Sequence, residues 1–367
     1  MKKKALKLIY MSNILLLILF FIYIGTGCQS EYRYWTNEID NFDSFQILDV
    51  FLTQGESKII DFKQQFKNSN LSITKIVAKS TDEEVCTINE NSIYAVGMGK
   101  AKVKVEIYSS KEMCCYVTTS ANVYVVDSSN KDLIEVRTAQ DLADMNQNKN
   151  GWYILKNDID LIEYKNWEPI GNLPTAETPE NNAFQGIFYN PEGFKIKNLT
   201  IKSSQMITQG KFGGCNGGLF GALDEAYIDG ILLENVYIDL TDYDGTLSSC
   251  AGGIAAQELN SVIRNCKVEG KIISQDRTGG IVGGSSWGKI MNCDFKGMVQ
   301  STIHAAGGIA GFGYIVKNCS VEALIEGAFA SGGILGFKTV DYYLSDCSFK
   351  GELLGNGYKG ETIGYTF

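Results

Sequence analysis

From each of four cysteines onward, apolar or small residues alternate with polar ones. The runs are Cys266-Val268-Gly270-Ile272, Cys293-Phe295-Gly297-Val299, Cys319-Val321-Ala323-Ile325 and Cys347-Phe349-Gly351-Leu353. A period of two is the mark of a strand with one buried face. Each cysteine follows Asn265, Asn292, Asn318 or Asp346, and about thirteen residues before that step lies a glycine doublet capped by an apolar residue. The doublets open Gly217-Gly218-Leu219-Phe220-Gly221, Gly252-Gly253-Ile254, Gly279-Gly280-Ile281-Val282-Gly283, Gly307-Gly308-Ile309-Ala310-Gly311 and Gly332-Gly333-Ile334-Leu335-Gly336. They start 35, 27, 28 and 25 residues apart (217 to 252, 279, 307 and 332), and a half-degenerate copy follows at Gly360-Glu361-Thr362-Ile363-Gly364.

Self-similarity at such a period means a repeat architecture. The doublet run predicts a second short strand, and the apolar residues before each Asn predict a third. With no helix-length segment between units, this is an all-β pattern that fits a parallel β-helix of about six coils over residues 207–367. Stacking in register would align Glu269, Lys296, Glu322 and Lys350 in a column of alternating charge at about 4.8 Å spacing. Residues 133–206 read as the entry and cap segment. Thr138-Ala139-Gln140-Asp141 predicts a capping-box start for a helix through about residue 148, and strands are predicted at 152–155 and 159–161. A solenoid end needs such cover because an open parallel edge recruits other chains.

The Gly-Gly-Leu-Phe-Gly runs with their Asn-Cys strands resemble the GLUG repeat of bacterial surface proteins. The lead-in Thr138-Ala139-Gln140-Asp141-Leu142, then Asp158-Ile159-Asp160-Leu161, Trp167-Glu168-Pro169-Ile170-Gly171 and Phe184-Gln185-Gly186, is similar to the segment preceding such repeats. The resemblance spans about residues 133–367. It implies a right-handed β-solenoid on exported proteins, some of them the non-catalytic parts of zinc proteases that cleave immunoglobulin A, and implies no activity by itself.

The first half reads differently. Residues 1–28 form a signal segment, with Lys2, Lys3, Lys4 and Lys7 ahead of an apolar run at 14–24 that is short for a spanning helix. Gly25-Thr26-Gly27-Cys28 resembles a bacterial lipoprotein cleavage site, which implies lipidation of Cys28. Gly25 departs from the usual leucine. Residues 29–44 read as a tether. Residues 45–127 form a separate small β-sandwich, with strands predicted at 45–51, 59–62, 73–78, 85–88, 93–96, 101–108 and 116–126. Val85-Cys86-Thr87-Ile88, the stretch from Ile93 to Ala101 and Val103-Lys104-Val105 resemble the bacterial immunoglobulin-like group 2 fold, whose modules act as stalks or spacers.

Composition narrows the partners. The 367 residues carry a formal net charge of −9, with no basic patch after the signal segment, which argues against nucleic acid. Ten cysteines less Cys28 leave nine. Cys266, Cys293, Cys319 and Cys347 read as an inward column of small buried hydrophobes, since side chains one coil apart are far for a disulfide and a line cannot surround a tetrahedral ion. Cys215 and Cys250, each two residues before a doublet, are expected to stack as well. Cys86 has Cys114 or Cys115 as candidate partner. No metal or other cofactor is expected.

Only one histidine, His304, is present, which removes motifs that need two, including the zinc site of the proteases that carry similar repeats. It reads as a surface turn residue. Carboxylate chemistry on a polysaccharide would need converging acids. Asp239, Asp242 and Asp244 cluster in the long first unit, where Asp242-Tyr243-Asp244-Gly245 faintly resembles a calcium loop but lacks its full spacing. A solvated turn fits them as well, and Asp158 and Asp160 read as structural. The residues that do not repeat are the better lead: Trp287, Tyr314 and Tyr342 fall in the variable turns after the doublet strands and are candidates for an aromatic ligand-binding strip. The sequence thus predicts a non-catalytic, lipid-anchored surface protein of the bacterial cell envelope that presents a solenoid for adhesion or for binding a glycan or a host-surface protein. The alternatives are a polysaccharide-acting β-helix enzyme (a glycosidase or lyase) and a purely structural module.

Overall fold

The computed structural model describes residues 50–60, 73–109, 116–127, 129–130, 132–172, 182–203, 215–243 and 249–366. Cys28, the tether, Cys114, Cys115 and Asp244 lie outside them. The chain is all-β with long parallel-strand sheets, compatible with a β-helix or solenoid, and divides into two compact units at Val126 and Asp127.

The first unit has two sheets. Val50–Thr53, Tyr116–Val126, Gly99–Ser109 and Ile73–Ser80 form one, in that order; Ser57–Ile59, Ser92–Ala95 and Cys86–Asn89 form the other. Alternate residues from both enter one core: Val50, Leu52, Cys86, Ile93, Val103, Val105, Val123 and Val125 are buried. The strand expected at 59–62 is instead Ser57–Ile59. Its register, Ser57 opposite Tyr94 and Ile59 opposite Ser92, leaves Ile59 exposed and sends Ile60 inward.

In the second unit each repeat contributes to three sheets in turn. The doublets lie on a six-stranded sheet: Asn216–Gly217, Cys250–Gly252, Thr278–Gly279, Ala305–Gly307, Ala330–Gly332 and Tyr358–Gly360. The strands after the doublets, from Phe220–Asp224 to Ile363–Tyr365, join a twelve-stranded sheet. The alternating strands after the cysteines, among them Lys267–Ser274, Asp294–Ser301, Ser320–Gly327 and Ser348–Leu354, lie on an eight-stranded one. All these pairings between repeats are parallel, and Glu269, Lys296, Glu322 and Lys350 face one another in register.

Close approach explains the doublet. A Cβ on Gly279 would lie 2.0 Å from the Val282 carbonyl oxygen, so only glycine allows the strand to fold back over three residues. A Cβ on Gly280 would lie 2.2 Å from both the Gly308 carbonyl oxygen and the Phe295 ring. Phe295 is the residue two past the cysteine. The two sequence signatures of a repeat are therefore one packing contact, glycine against the first inward side chain of the alternating strand.

The Asn before each cysteine turns the corner. Asn265, Asn292, Asn318 and Asp346 hold left-handed backbone with φ of 52–55°, a region where Asn and Asp are enriched among non-glycine residues. Their amides also form a ladder. Asn292 Nδ2 donates to Asn265 Oδ1 (3.1 Å) and Asn318 Nδ2 to Asn292 Oδ1 (2.9 Å), while Asn265 Nδ2 donates to Asp229 Oδ1 (2.7 Å). Just inside this corner Cys266, Cys293 and Cys319 are buried and Cys347 half-buried, each thiol donating to the carbonyl two residues back at 3.1–3.3 Å.

Cys215 and Cys250 do not align: Cys250 pairs with Asn216 and Gly217 with Ala251. Farther on, Phe220 pairs with Ala255, so the first repeat is one residue shorter across its doublet and its cysteine slides out of the column. Ahead of the repeats, Ile134–Val136, Trp152–Leu155 and Ile187–Tyr189 extend the twelve-stranded sheet, with Ile134–Val136 at its end. The helix Ala139–Asp144 starts at a capping box. Thr138 Oγ1 accepts from the Asp141 N–H (3.1 Å), and the Asp141 carboxylate accepts from the Thr138 N–H (2.9 Å). A 3₁₀ turn, Met145–Gln147, completes it, and Leu142 and Met145 enter the core. Trp167 of the entry motif is buried and donates through Nε1 to the Leu219 carbonyl (3.1 Å).

Candidate functional site: the lateral corner

Trp287, Tyr314 and Tyr342 occupy equivalent corners of three successive repeats, and register fixes how those corners differ. Gly284 pairs with Phe312, and Lys289 with Ile315. Between those pairs the third repeat has four residues, 285–288, of which Ser285 and Ser286 still belong to the strand Val282–Ser286, and the fourth has two, 313–314. Gly313 pairs with Lys338 and Ile315 with Tyr343, so the fifth repeat has 339–342 where the fourth has Tyr314 alone. The fourth and fifth repeats each pass the corner within one strand, Ala310–Lys317 and Leu335–Ser345. The fourth takes the shortest path, and Tyr314 on it is half-buried.

Trp287 lies between the strands Val282–Ser286 and Lys289–Met291. Its backbone N-terminal neighbour Ser286 accepts from the Asn260 N–H (3.0 Å), as Leu259 accepts from the Glu225 N–H (3.0 Å). Glu225, Asn260 and Trp287 form one column of left-handed corners with φ of 50°, 49° and 57°. Left-handed backbone suits Asn and strains a bulky residue. The Trp287 residue is 48% exposed, and among the described residues its indole shows neither a ring partner nor a hydrogen bond. On the fifth repeat the Lys338 ammonium lies 3.9 Å from the centroid of the Tyr342 ring, a cation–π pair, and Tyr342 packs partly on the core.

Beneath the Trp287 turn lies a carboxyl that sequence reasoning missed. Glu258, only 3% exposed, accepts from the Ser285 hydroxyl and the Ser261 N–H, both at 2.5 Å. Gly288 covers it: a Cβ there would lie 1.6 Å from Glu258 Oε2. Burial pushes the Glu258 pKa up to about 8, against the two hydrogen bonds that favour its charged form. Nothing in the local pattern marks this residue; its signal is a Glu at a position where the next repeat has Ser285.

A second aromatic feature lies on the same strands beside the corner, with Phe312 two residues before Tyr314 and Phe337 directly before Lys338. Phe312, Phe337 and Tyr365 align in register and stack at 5.6 and 5.7 Å between ring centroids. Phe329 packs edge-on against Tyr358 and Tyr365. His304 stacks flat on Phe329 at 5.2 Å and is half-buried, so it is more than a surface turn residue. Its Nδ1 lies 3.3 Å from Asp276 Oδ1 without hydrogen-bond geometry, and burial lowers its pKa, partly opposed by Asp276.

Of the other candidate acids, Asp242 is exposed, and Asp239, Asp158 and Asp160 are tied into local structure. Asp239 accepts from the Thr241 hydroxyl (2.7 Å) and the Tyr237 hydroxyl (3.1 Å), capping a turn. Asp158 accepts from the Lys195 N–H (2.8 Å), and Asp160 from the Asn198 amide (2.6 Å) and the Ile162 N–H (2.9 Å). Among the described residues no group of three or more His, Cys, Asp or Glu side chains is placed to hold a metal ion, and no helix is long and apolar enough to cross a membrane.

No family model matches this chain, and no curated protein does. Four solved chains match. One, described as a "putative immunoglobulin A1 protease from Bacteroides ovatus", is 17% identical over 64% of this chain and 83% of that one, with a TM-score of 0.39. At that score it bears on neither the fold nor the function.

Proposed function

We propose that this protein is a non-catalytic lipoprotein of the bacterial cell envelope, exported and lipid-anchored through Cys28, that captures a ligand at the Trp287 corner of a right-handed β-solenoid of about six coils, with residues 45–127 as an immunoglobulin-like stalk. The observation that carries ligand capture is Trp287. A large aromatic side chain is held in strained backbone, exposed and unpartnered among the described residues, where the preceding repeats use Glu225 and Asn260. Strain retained at an exposed position is a cue to function, and exposed tryptophan is a preferred binding anchor. Lateral faces of solenoids are natural binding surfaces.

Glycan and host-protein arrays probed with the purified protein test this reading. Reproducible capture is expected, and the absence of any hit would leave a structural module. For the anchor, palmitate labelling of wild type is expected to disappear in Cys28→Ala; equal labelling would remove the lipid assignment.

The enzyme alternative has one observation in its favour, the raised pKa of Glu258, the usual property of a general acid. Its carboxyl is sealed under Gly288 and held by Ser285 and Ser261, so it reaches no substrate in this conformation.

A further inference from the structure

We propose that the repeat at the open end of the described stack docks a second copy of this chain, its edge strand Ser348–Leu354 pairing antiparallel with the same strand of the partner about a twofold axis at Gly351. This goes beyond ligand capture and does not depend on it. Three sheets reach their end together in this repeat. Among the described residues Ser348–Leu354 pairs only with Ser320–Gly327, Tyr358–Gly360 only with Ala330–Gly332 and Ile363–Tyr365 only with Leu335–Ser345. The core is uncovered with them. Phe295 and Val321 are 2% and 4% exposed, and Val299 and Ile325 are fully buried. Their in-register counterparts Phe349 and Leu353 are only half-buried, as are Cys347 and Ile363. Edge backbone around an unfinished core is the surface that recruits a further strand.

Charge selects the occupant and the register. The column Glu269, Lys296, Glu322, Lys350 alternates in sign, and Lys350 Nζ lies 3.4 Å from Glu322 Oε1, so the next place in it suits an acid. The strand supplies that acid itself. Centred on Gly351, antiparallel pairing sets exposed Lys350 against the partner's Glu352, and exposed Glu352 against the partner's Lys350. Phe349 meets the partner's Leu353 on the core face, which joins the two cores. Centring on Lys350 or on Glu352 would oppose like charges, and a one-residue slip would set core-facing against solvent-facing positions. The backbone fits the same register. The Ser348 N–H donates to the Cys319 carbonyl (3.0 Å) and the Leu354 carbonyl accepts from Ser331 Oγ (2.7 Å), both back toward earlier repeats. Alternate residues turn their backbone groups to the same side of a strand, so Phe349, Gly351 and Leu353 turn theirs outward, and these are the residues the twofold sets in hydrogen-bonded pairs. At the entry segment Leu142, Met145 and Trp167 already fill the core, so the matching surface for this end is the same end of another copy, an isologous contact that closes at two.

Sedimentation velocity of the purified full-length protein, over a dilution series up to about 100 μM, is expected to show a monomer–dimer equilibrium. Glu352→Lys sets like charges together twice per dimer and is expected to weaken association about tenfold or more. Adding Lys350→Glu to it reverses both pairs and should restore association to within about threefold of wild type. Cross-linking reads the register separately. Residues 350 and 352 of the two copies would form a non-hydrogen-bonded pair with Cα atoms about 4.5 Å apart, within reach of a disulfide. Lys350→Cys and Glu352→Cys proteins, mixed and oxidised with diamide, are therefore expected to give a disulfide-linked dimer, while either protein alone gives no more than wild type. A wild type that stays monomeric across the series overturns the proposal. A dimer that Glu352→Lys leaves equally tight, or that the mixed cysteine variants do not trap, overturns it as well, because association then uses another face. Ligand capture at Trp287 stands in each of these cases.

Discussion

Glu258 concentrates the energetics of this molecule in one proton. Its pKa, about 8 in the folded chain against an ordinary value of 4.5, means that the native state holds the proton more tightly than the unfolded chain. Its contribution is complete below about pH 4.5, falls as pH rises and is gone above about pH 8, a span worth on the order of a few kcal/mol. The melting temperature is therefore expected to fall between pH 5 and pH 8, and Glu258→Gln, which keeps a neutral group against Ser285, should flatten that slope. Equal slopes in the two proteins would contradict the assignment. Gly280 is the steric counterpart. With Gly308 and Phe295 each 2.2 Å from the position of an added Cβ, Gly280→Ala is expected to cost about 3 kcal/mol or more, measured by urea unfolding. A cost under 1 kcal/mol would mean that the corner opens freely.

At the scale of elements, the corner ladder separates two effects that usually travel together. Asn292 supplies both a left-handed backbone and two amide hydrogen bonds, to Asn265 and from Asn318. Asn292→Gly keeps the first and loses the second, at about 1–2 kcal/mol. Asn292→Ala loses both and is expected to be about 1 kcal/mol worse. The reverse order, read from chemical denaturation, would show that backbone conformation is not limiting at this corner.

The elements also show which parts of the structure were readable from the chain. The doublets, the Asn-Cys step and the alternating strands were legible because each repeats, and each repeats because backbone approaches backbone at the same place in every unit. The charge column from Glu269 to Lys350 was legible for the same reason. What does not repeat was hidden. The slip of Cys215 against Cys250 depends on one missing residue at the first doublet. The Phe312–Phe337–Tyr365 stack has no counterpart at Gly284 and so makes no long pattern. Glu258 has no local signature, since burial of a lone carboxyl is decided by Gly288 and Ser285 from the next repeat. Trp287, Tyr314 and Tyr342 could be picked out as variable turn residues, but the differences in path length between their repeats are revealed only by register.

At the scale of the whole molecule, the second unit is a regular stack: in-register sheets carry it, and the αL corners and glycine contacts fix the path of each repeat. The repeats differ in length at the corner around 285–288, 313–314 and 338–342, where the Trp287 indole is exposed. Among the acids that could serve chemistry, Asp158, Asp160 and Asp239 are bonded into local structure and Glu258 is buried. We propose capture without turnover at that corner. Its most direct test is to incubate the purified protein with a panel of polysaccharides and assay the supernatant for new reducing ends and unsaturated products. Neither product is expected over a time in which bound polysaccharide is recovered with the protein; release of either in proportion to protein concentration would contradict capture without turnover.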